Sequence, residues 1–149
     1  MARRSAGILL FRRTSGLEVL LAHPGGPLHA KKDVWTVPKG EYDDSEVPLA
    51  AGYREFEEEL GHPVPDGTAL DLGEVVQKGG KRVVAWAVEG DADPATCESN
   101  TFGMTWQGRW QEFPEIDRVE WFDLATAAAK INPAQAAFLE RLQGLVPDL

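Results

Sequence analysis

Apolar residues along this chain fall into short, nearly continuous runs and one helical stripe, and their order predicts the order of the elements. Residues 6–11 and 18–22 are apolar and partly β-branched, and the polar stretch 12–16 between them ends in glycine, which predicts a β-hairpin. Residues 23–39 are rich in Pro, Gly and Lys, with Trp35 and Val37 as the strong apolar anchors, and read as a long loop with a short strand. Residues 48–60 form the clearest helix, because Leu49, Tyr53, Phe56 and Leu60 recur on one narrow stripe at the 3.6-residue period. Pro48 suits its first turn, where no donor is lost; Gly61 is placed to cap its end and Pro63 blocks continuation. Val47 stands at the N-cap, where it offers no side-chain acceptor. Residues 70–77 and 82–88 flank Lys78-Gly79-Gly80-Lys81 and predict a second hairpin. Residues 90–114 are mostly polar apart from Trp106 and Trp110 and read as a long irregular segment, a type of loop that is commonly functional. A last strand at 119–122 precedes helices at 124–130 and 133–145, broken at Asn132-Pro133. No internal repeat or low-complexity tract interrupts the series.

Composition narrows the picture. With 149 residues and 43% hydrophobic content, the chain suffices for one ordinary core, so a single domain over 1–149 is expected. A net charge of -9 argues against nonspecific binding to a nucleic-acid polymer, which needs a basic face. An acidic protein that handles phosphates needs metal ions or a local basic pocket. Cys97 is the one cysteine and cannot form an internal disulfide, which fits a reducing cytoplasm. The apolar runs fall short of the roughly 20 residues a bilayer span requires, and no membrane partner is expected. Arg3 and Arg4 precede the first run, but Arg12 and Arg13 end it too early for a secretory leader, so a cytoplasmic location is expected. The sequence is silent on oligomeric state.

The chemistry concentrates between Gly40 and His62. Gly40 is followed after five residues by Glu46; seven more precede Arg54-Glu55, and then come Phe56, Glu58-Glu59 and Gly61. This segment resembles the Nudix box: Gly, five residues, Glu, seven residues, Arg-Glu, a hydrophobic, any residue, Glu-Glu, any residue, Gly, an aliphatic. Seven specified residues would coincide by chance about once in 10⁸ trials at average usage. His62 departs from the pattern, standing where an aliphatic is usual. The resemblance implies an α/β fold, an α/β/α sandwich around a mixed β-sheet, and hydrolysis of a diphosphate linkage in a nucleotide-like substrate.

The glutamates carry an independent physical argument. At 100° per residue Glu55, Glu58 and Glu59 share one helix face, opposite the apolar stripe, while Glu57 points away. Carboxylates at i,i+3 and i,i+4 repel, and a hard divalent cation such as Mg²⁺ or Mn²⁺ would resolve that conflict. The competing interpretation is a solvated acidic face. The resemblance implies that Arg54 pairs with a carboxylate, with Glu46 as its partner, and orients Glu55, and that the Gly40 carbonyl reaches a metal ion. Glu55 is assigned as a ligand and general base, and Glu58 and Glu59 as ligands.

Weaker candidates lie outside the helix. Lys31, Lys32 and Lys39 flank Trp35 and offer a phosphate-contacting, base-stacking wall, although Trp35 equally suits a core anchor. Phe102, Trp106 and Trp110 are candidates for a substrate lid or for packing under the loop, and Glu112 and Glu115 for a further metal ligand or plain surface charge. His23, His29 and His62 have no metal-binding spacing. Residues 35–41 resemble the approach to the box in members acting on dinucleoside polyphosphates or diphosphoinositol phosphates. The tyrosine or proline markers of the dinucleoside-polyphosphate and ADP-sugar members are absent from 71–88. Three expectations therefore stand together: a nucleoside diphosphate-X or polyphosphate hydrolase, a nucleoside triphosphate pyrophosphohydrolase, and a non-catalytic nucleotide-binding module.

Overall fold

The computed structural model describes residues 3–147. Its central strand, β1 (Arg4–Arg13), carries the sheet. One edge of β1 pairs in parallel with β5 (Arg82–Glu89); the other pairs antiparallel with β3 (Lys39–Glu41) at Ser5–Gly7 and with β2 (Leu17–Pro24) at Phe11–Arg13. β4 (Leu70–Val76) lies outside β5 and β8 (Ile116–Asp123) outside β2, giving the order β4-β5-β1-β2-β8. The sheet is therefore mixed.

Both faces of the sheet are covered, which is why the residues 6–11 run is apolar at every position instead of alternating. Ile8, Leu10, Leu20, Ala22 and Val88 meet Phe56 and Leu60 of helix α1 (Pro48–Leu60). Leu9, Phe11, Val19, Leu21, Val83 and Ala85 meet Phe138, Leu139 and Leu142 of α3 (Ala136–Leu145), with Ala127 of α2 (Leu124–Lys130) closing the same side. Each fully buried large side chain contributes about 1.5–3 kcal/mol. The product is the expected α/β/α sandwich.

Helix α1 has the boundaries its pattern predicts. Val47 makes no side-chain cap, and Pro48 occupies the first turn. Gly61 ends the helix at φ 77, and its N–H donates to the Glu57 carbonyl at 2.8 Å.

Two expectations need correction, and the loop with a short strand expected at 23–39 is filled in. The segment expected to be irregular holds a separate hairpin, β6 (Thr101–Trp106) and β7 (Arg109–Pro114). Its tight turn, Gln107-Gly108, has φ 52 and 80, the positive pair that a type I′ turn demands. The helix expected from 133 to 145 begins as a 3₁₀ turn, Pro133–Gln135, capped by the Asn132 side chain, which accepts from the Ala134 N–H. The loop after β2 is tied down at two points, where Ala22 bridges Thr36 and Trp35 bridges Ile131. Among the described residues no helix is long and apolar enough to cross a membrane.

Candidate active site

Strand β3 and helix α1 are brought together by backbone economy at Gly40. Gly40 pairs with Ala6, and a Cβ built on it would overlap the Glu55 carboxylate. Only glycine lets the strand pass this close. The neighbouring Lys39 N–H donates to Glu59 Oε1 at 3.2 Å. Two of the three glutamates of that face are therefore not turned to solvent, as the position opposite an apolar stripe suggests. Glu55 and Glu59 are 9% and 7% exposed because β3 covers them, whereas Glu58 and Glu57 are exposed.

Arg54 organises the cluster. Its Nε and Nη2 form a two-pronged contact with Glu46 at 2.8 and 2.9 Å, and Nη1 donates to Glu55 Oε1 at 2.8 Å and Glu58 Oε1 at 3.2 Å. The planar fork of an arginine suits this, since one edge holds Glu46 while the remaining donor fixes two more carboxylates. The hydrogen bonds to Glu46 and its neighbours hold Arg54 firmly protonated.

A further carboxylate joins from outside the box. Glu115, half-buried between β7 and β8, is raised above the usual carboxyl range by burial and by the charge of Glu58, and its own charge acts on both Glu55 and Glu59. The backbone fixes it there: the Asn100 N–H donates to the Glu58 carbonyl, the Glu115 N–H to the Asn100 carbonyl, and the Gly25 N–H to the Glu115 carbonyl. Burial pushes the Glu59 carboxyl up to about 8, with Lys39 opposing and Glu55 adding to the shift. Glu55 is raised as well, chiefly by burial, against the pull of Arg54.

The donor chemistry fits a hard divalent ion. All the acidic groups are carboxylates, two of them nearly buried, and their raised pKa values mark charge that the surrounding protein leaves under-compensated. As the side chains stand, no group of three His, Cys, Asp or Glu among the described residues is gathered tightly enough to grip one ion, because Arg54 occupies the space between Glu55 and Glu58.

The other candidates disperse. Trp35 is 1% exposed, packed edge-on against His23 and Phe122, with its Nε1 donating to Asp33. It is a core anchor, so the expected stacking surface is withdrawn. Lys32 is exposed on the loop after β2 and lines a cavity of about 270 Å³ together with Pro24, His29, Val34, Asn132 and the edge of Trp35, and none of the cluster's carboxylates lines it. Lys31 is exposed on the same loop. Lys39 does adjoin the cluster. Glu112 is exposed on β7 across from Gly103, and Trp110, also exposed, lies over that glycine. Phe102 packs against Phe113 and over Gly26, while Trp106 is half-buried in β6. His62 contacts the Thr96 carbonyl and hydroxyl, which explains a polar residue where an aliphatic is usual. His23 is buried against Asp117 and the Lys32 carbonyl, and His29 is exposed.

Comparison with known proteins gives one family and several relatives. The family model described as NUDIX domain matches residues 1–142. An 8-oxo-(d)GTP phosphatase of Mycolicibacterium smegmatis is 35% identical over 102 residues, which span 61% of this chain and 31% of that protein. The chain thus matches about a third of that relative's length. Among solved structures, a Caenorhabditis elegans Ap4A hydrolase binary complex superposes with a TM-score of 0.69 at 21% identity, covering 95% of this chain and 96% of the other. The NUDIX domain of Shewanella oneidensis NrtR, complexed with ADP ribose, gives a TM-score of 0.69 at 16% identity, covering 97% and 88%. At these identities the two structures speak for the fold.

Proposed function

Given that the chain belongs to the NUDIX domain family, whose hydrolases include its relatives, we propose that it cuts a diphosphate linkage in a nucleotide-type substrate, with Mg²⁺ or Mn²⁺ as cofactor. The observation that carries this reading is the carboxylate cluster under β3. Glu55, Glu58 and Glu59 project from α1, Arg54 orders them, and Gly40 presses on Glu55. A solvated acidic face would not bury Glu55 and Glu59 in this way, and a pure binding module has no use for carboxylates held at such electrostatic cost.

Glu55, Glu58 and Glu59 would hold the ion, with the Gly40 backbone beside them and Glu115 as a further carboxylate from the β7–β8 junction. A bound divalent ion neutralises phosphate oxygens and lowers the pKa of an attacking water. The chain's own residues do the rest. Arg54, clamped by Glu46, fixes the orientation of Glu55 and Glu58. Glu55, whose carboxyl is raised by burial against the pull of Arg54, is the candidate general base, the role assigned to it from the sequence. Lys39, beside Glu59, supplies positive charge toward the substrate's phosphates.

A second substrate reading has its own support. The M. smegmatis relative is described as an 8-oxo-(d)GTP phosphatase, which favours a nucleoside triphosphate over a dinucleoside polyphosphate. Side-by-side turnover of 8-oxo-dGTP, a dinucleoside tetraphosphate and ADP-ribose, each with Mg²⁺, separates these substrates. Turnover of none with either metal would overturn the enzymatic reading.

A further inference from the structure

The carboxyl end of α1 is tied to a segment far along the chain. The last carbonyls of a helix have no partner within it, and here those of Glu58 and Leu60 accept from the Asn100 and Glu98 N–H groups, each at 3.0 Å. Residues 98–100 therefore follow the end of the helix that carries the glutamates, with Ser99 between the two points of attachment. The same segment meets the junction of β7 and β8, where the Glu115 N–H donates to the Asn100 carbonyl at 3.0 Å.

One hydroxyl closes this junction. Ser99 Oγ accepts from the Ile116 N–H at 3.1 Å and donates to the Asn100 carbonyl at 2.8 Å, with the Ile116 carbonyl as a second acceptor at 3.1 Å. A side chain is needed there because the ladder between β2 and β8 gives out: its register shifts between His23 and Pro24, and Pro24, opposite Ile116, has no N–H to donate. Ile116 is buried, and a buried N–H requires a partner within the protein. On the other flank the Gly25 N–H takes the Glu115 carbonyl at 2.9 Å, and a Cβ on Gly25 would overlap the Pro114 carbonyl oxygen. Both peptide groups of Glu115 are thus held, and its side chain is left to present charge to Glu55 and Glu59.

We propose that Ser99 is the positioning residue of Glu115, setting the backbone from which this carboxylate joins Glu55, Glu58 and Glu59 around a divalent ion. The inference rests on the hydrolase reading above and assigns a role to a residue outside the box. It also explains how two distant stretches of chain hold one register. Glu58 lies on α1 itself, and Glu115 is referred to the end of the same helix through Asn100, with Ser99 bracing the step to Ile116. Without the hydroxyl, the Ile116 N–H loses its partner, and the Glu115 backbone keeps only its bonds to Asn100 and Gly25. The carboxylate then stays near the cluster but is no longer fixed in it.

A double-mutant cycle tests this with two readouts. In calorimetric titration of the substrate-free protein with Mn²⁺, Ser99→Ala should weaken binding about 10-fold or more, the scale of a lost partner behind a metal ligand. Glu115→Gln should weaken it at least as much. The double variant should bind no more weakly than Glu115→Gln alone, because Ser99 then has no carboxylate to position. Turnover with Mg²⁺ should show the same coupling in kcat, with KM moving less than about two-fold. Ser99→Thr keeps the hydroxyl and should restore Mn²⁺ affinity, while Thr101→Ala, an exposed hydroxyl two residues on, should leave it unchanged. All titrations are run below the lowest melting temperature of the set. Losses that multiply in the double variant overturn the proposal, since a serine that only supports the fold weakens the wild type and Glu115→Gln by the same factor. A Ser99→Thr as weak as Ser99→Ala, or a Glu115→Gln that binds Mn²⁺ like the wild type, overturns it as well. If the wild type turns over no nucleotide, the hydrolase reading fails, while the Mn²⁺ titrations still decide whether Ser99 acts through Glu115.

Discussion

Replacing Glu59 by glutamine separates a metal-site carboxylate from a bland one, because the structure makes the two outcomes diverge with pH. The folded Glu59 carboxyl holds its proton up to about 8, against 4.5 for an ordinary glutamate. Between those values the unfolded chain binds fewer protons than the folded one, so metal-free stability falls as pH rises from about 4.5 through 8. Lys39 acts in the opposite sense above that window. Its folded pKa of about 8 lies below the ordinary 10.5, so stability is partly regained between 8 and 10.5. Glu59→Gln keeps an acceptor for the Lys39 N–H and removes the ionisation that burial and Glu55 oppose. The metal-free variant should therefore melt at or above the wild-type temperature, with the gain growing from pH 6 to pH 8. In Mg²⁺ it should lose about 10²-fold or more in rate, the scale of a lost electrostatic group. Glu57→Gln, exposed on the same helix, should change neither. Thermal melts across pH in EDTA, run beside turnover in Mg²⁺, read both quantities. Equal rate losses from the two substitutions, or a metal-free Glu59→Gln that melts well below wild type, would refute the reasoning.

Two further substitutions test the packing. Gly40→Ala places a methyl group on the Glu55 carboxylate, and overpacking of this kind costs about 1–3 kcal/mol; turnover should fall more than the melting temperature suggests, as judged by measuring both. Trp35→Ala should destabilise the fold by about 3–5 kcal/mol in denaturant titration, as for a buried aromatic; a cost under about 1 kcal/mol would mean that the ring is not a core anchor.

The sequence made helix α1 and its chemistry legible because two independent periodicities coincide there. The apolar stripe through Phe56 and Leu60 places the helix, and the spacing of Gly40, Arg54, Glu55, Glu58 and Glu59 marks the box. Glu57 points away as the helical angle requires. Burial of the glutamates was not legible, because it depends on β3 crossing at Gly40, a contact between distant segments. The β6–β7 hairpin was missed because its strands are partly exposed on both faces, so Thr101–Trp106 lacks clean alternation, and Gln-Gly is a less familiar type I′ pair than Asn-Gly. Gly108 was the available signal. Glu115 could be weighed but not placed, since a lone carboxylate in a polar stretch reads as surface until the Asn100 and Gly25 hydrogen bonds bring it to the cluster.

The most direct test of the central claim is hydrolysis in ¹⁸O-labelled water, with and without Mg²⁺, followed by mass spectrometry of the products. Attack of water on phosphorus beside the carboxylate cluster predicts that label enters a phosphate-bearing product and that turnover stops in excess EDTA and returns with Mg²⁺ or Mn²⁺. Label confined to a product without phosphate, or full turnover in EDTA, would contradict the account.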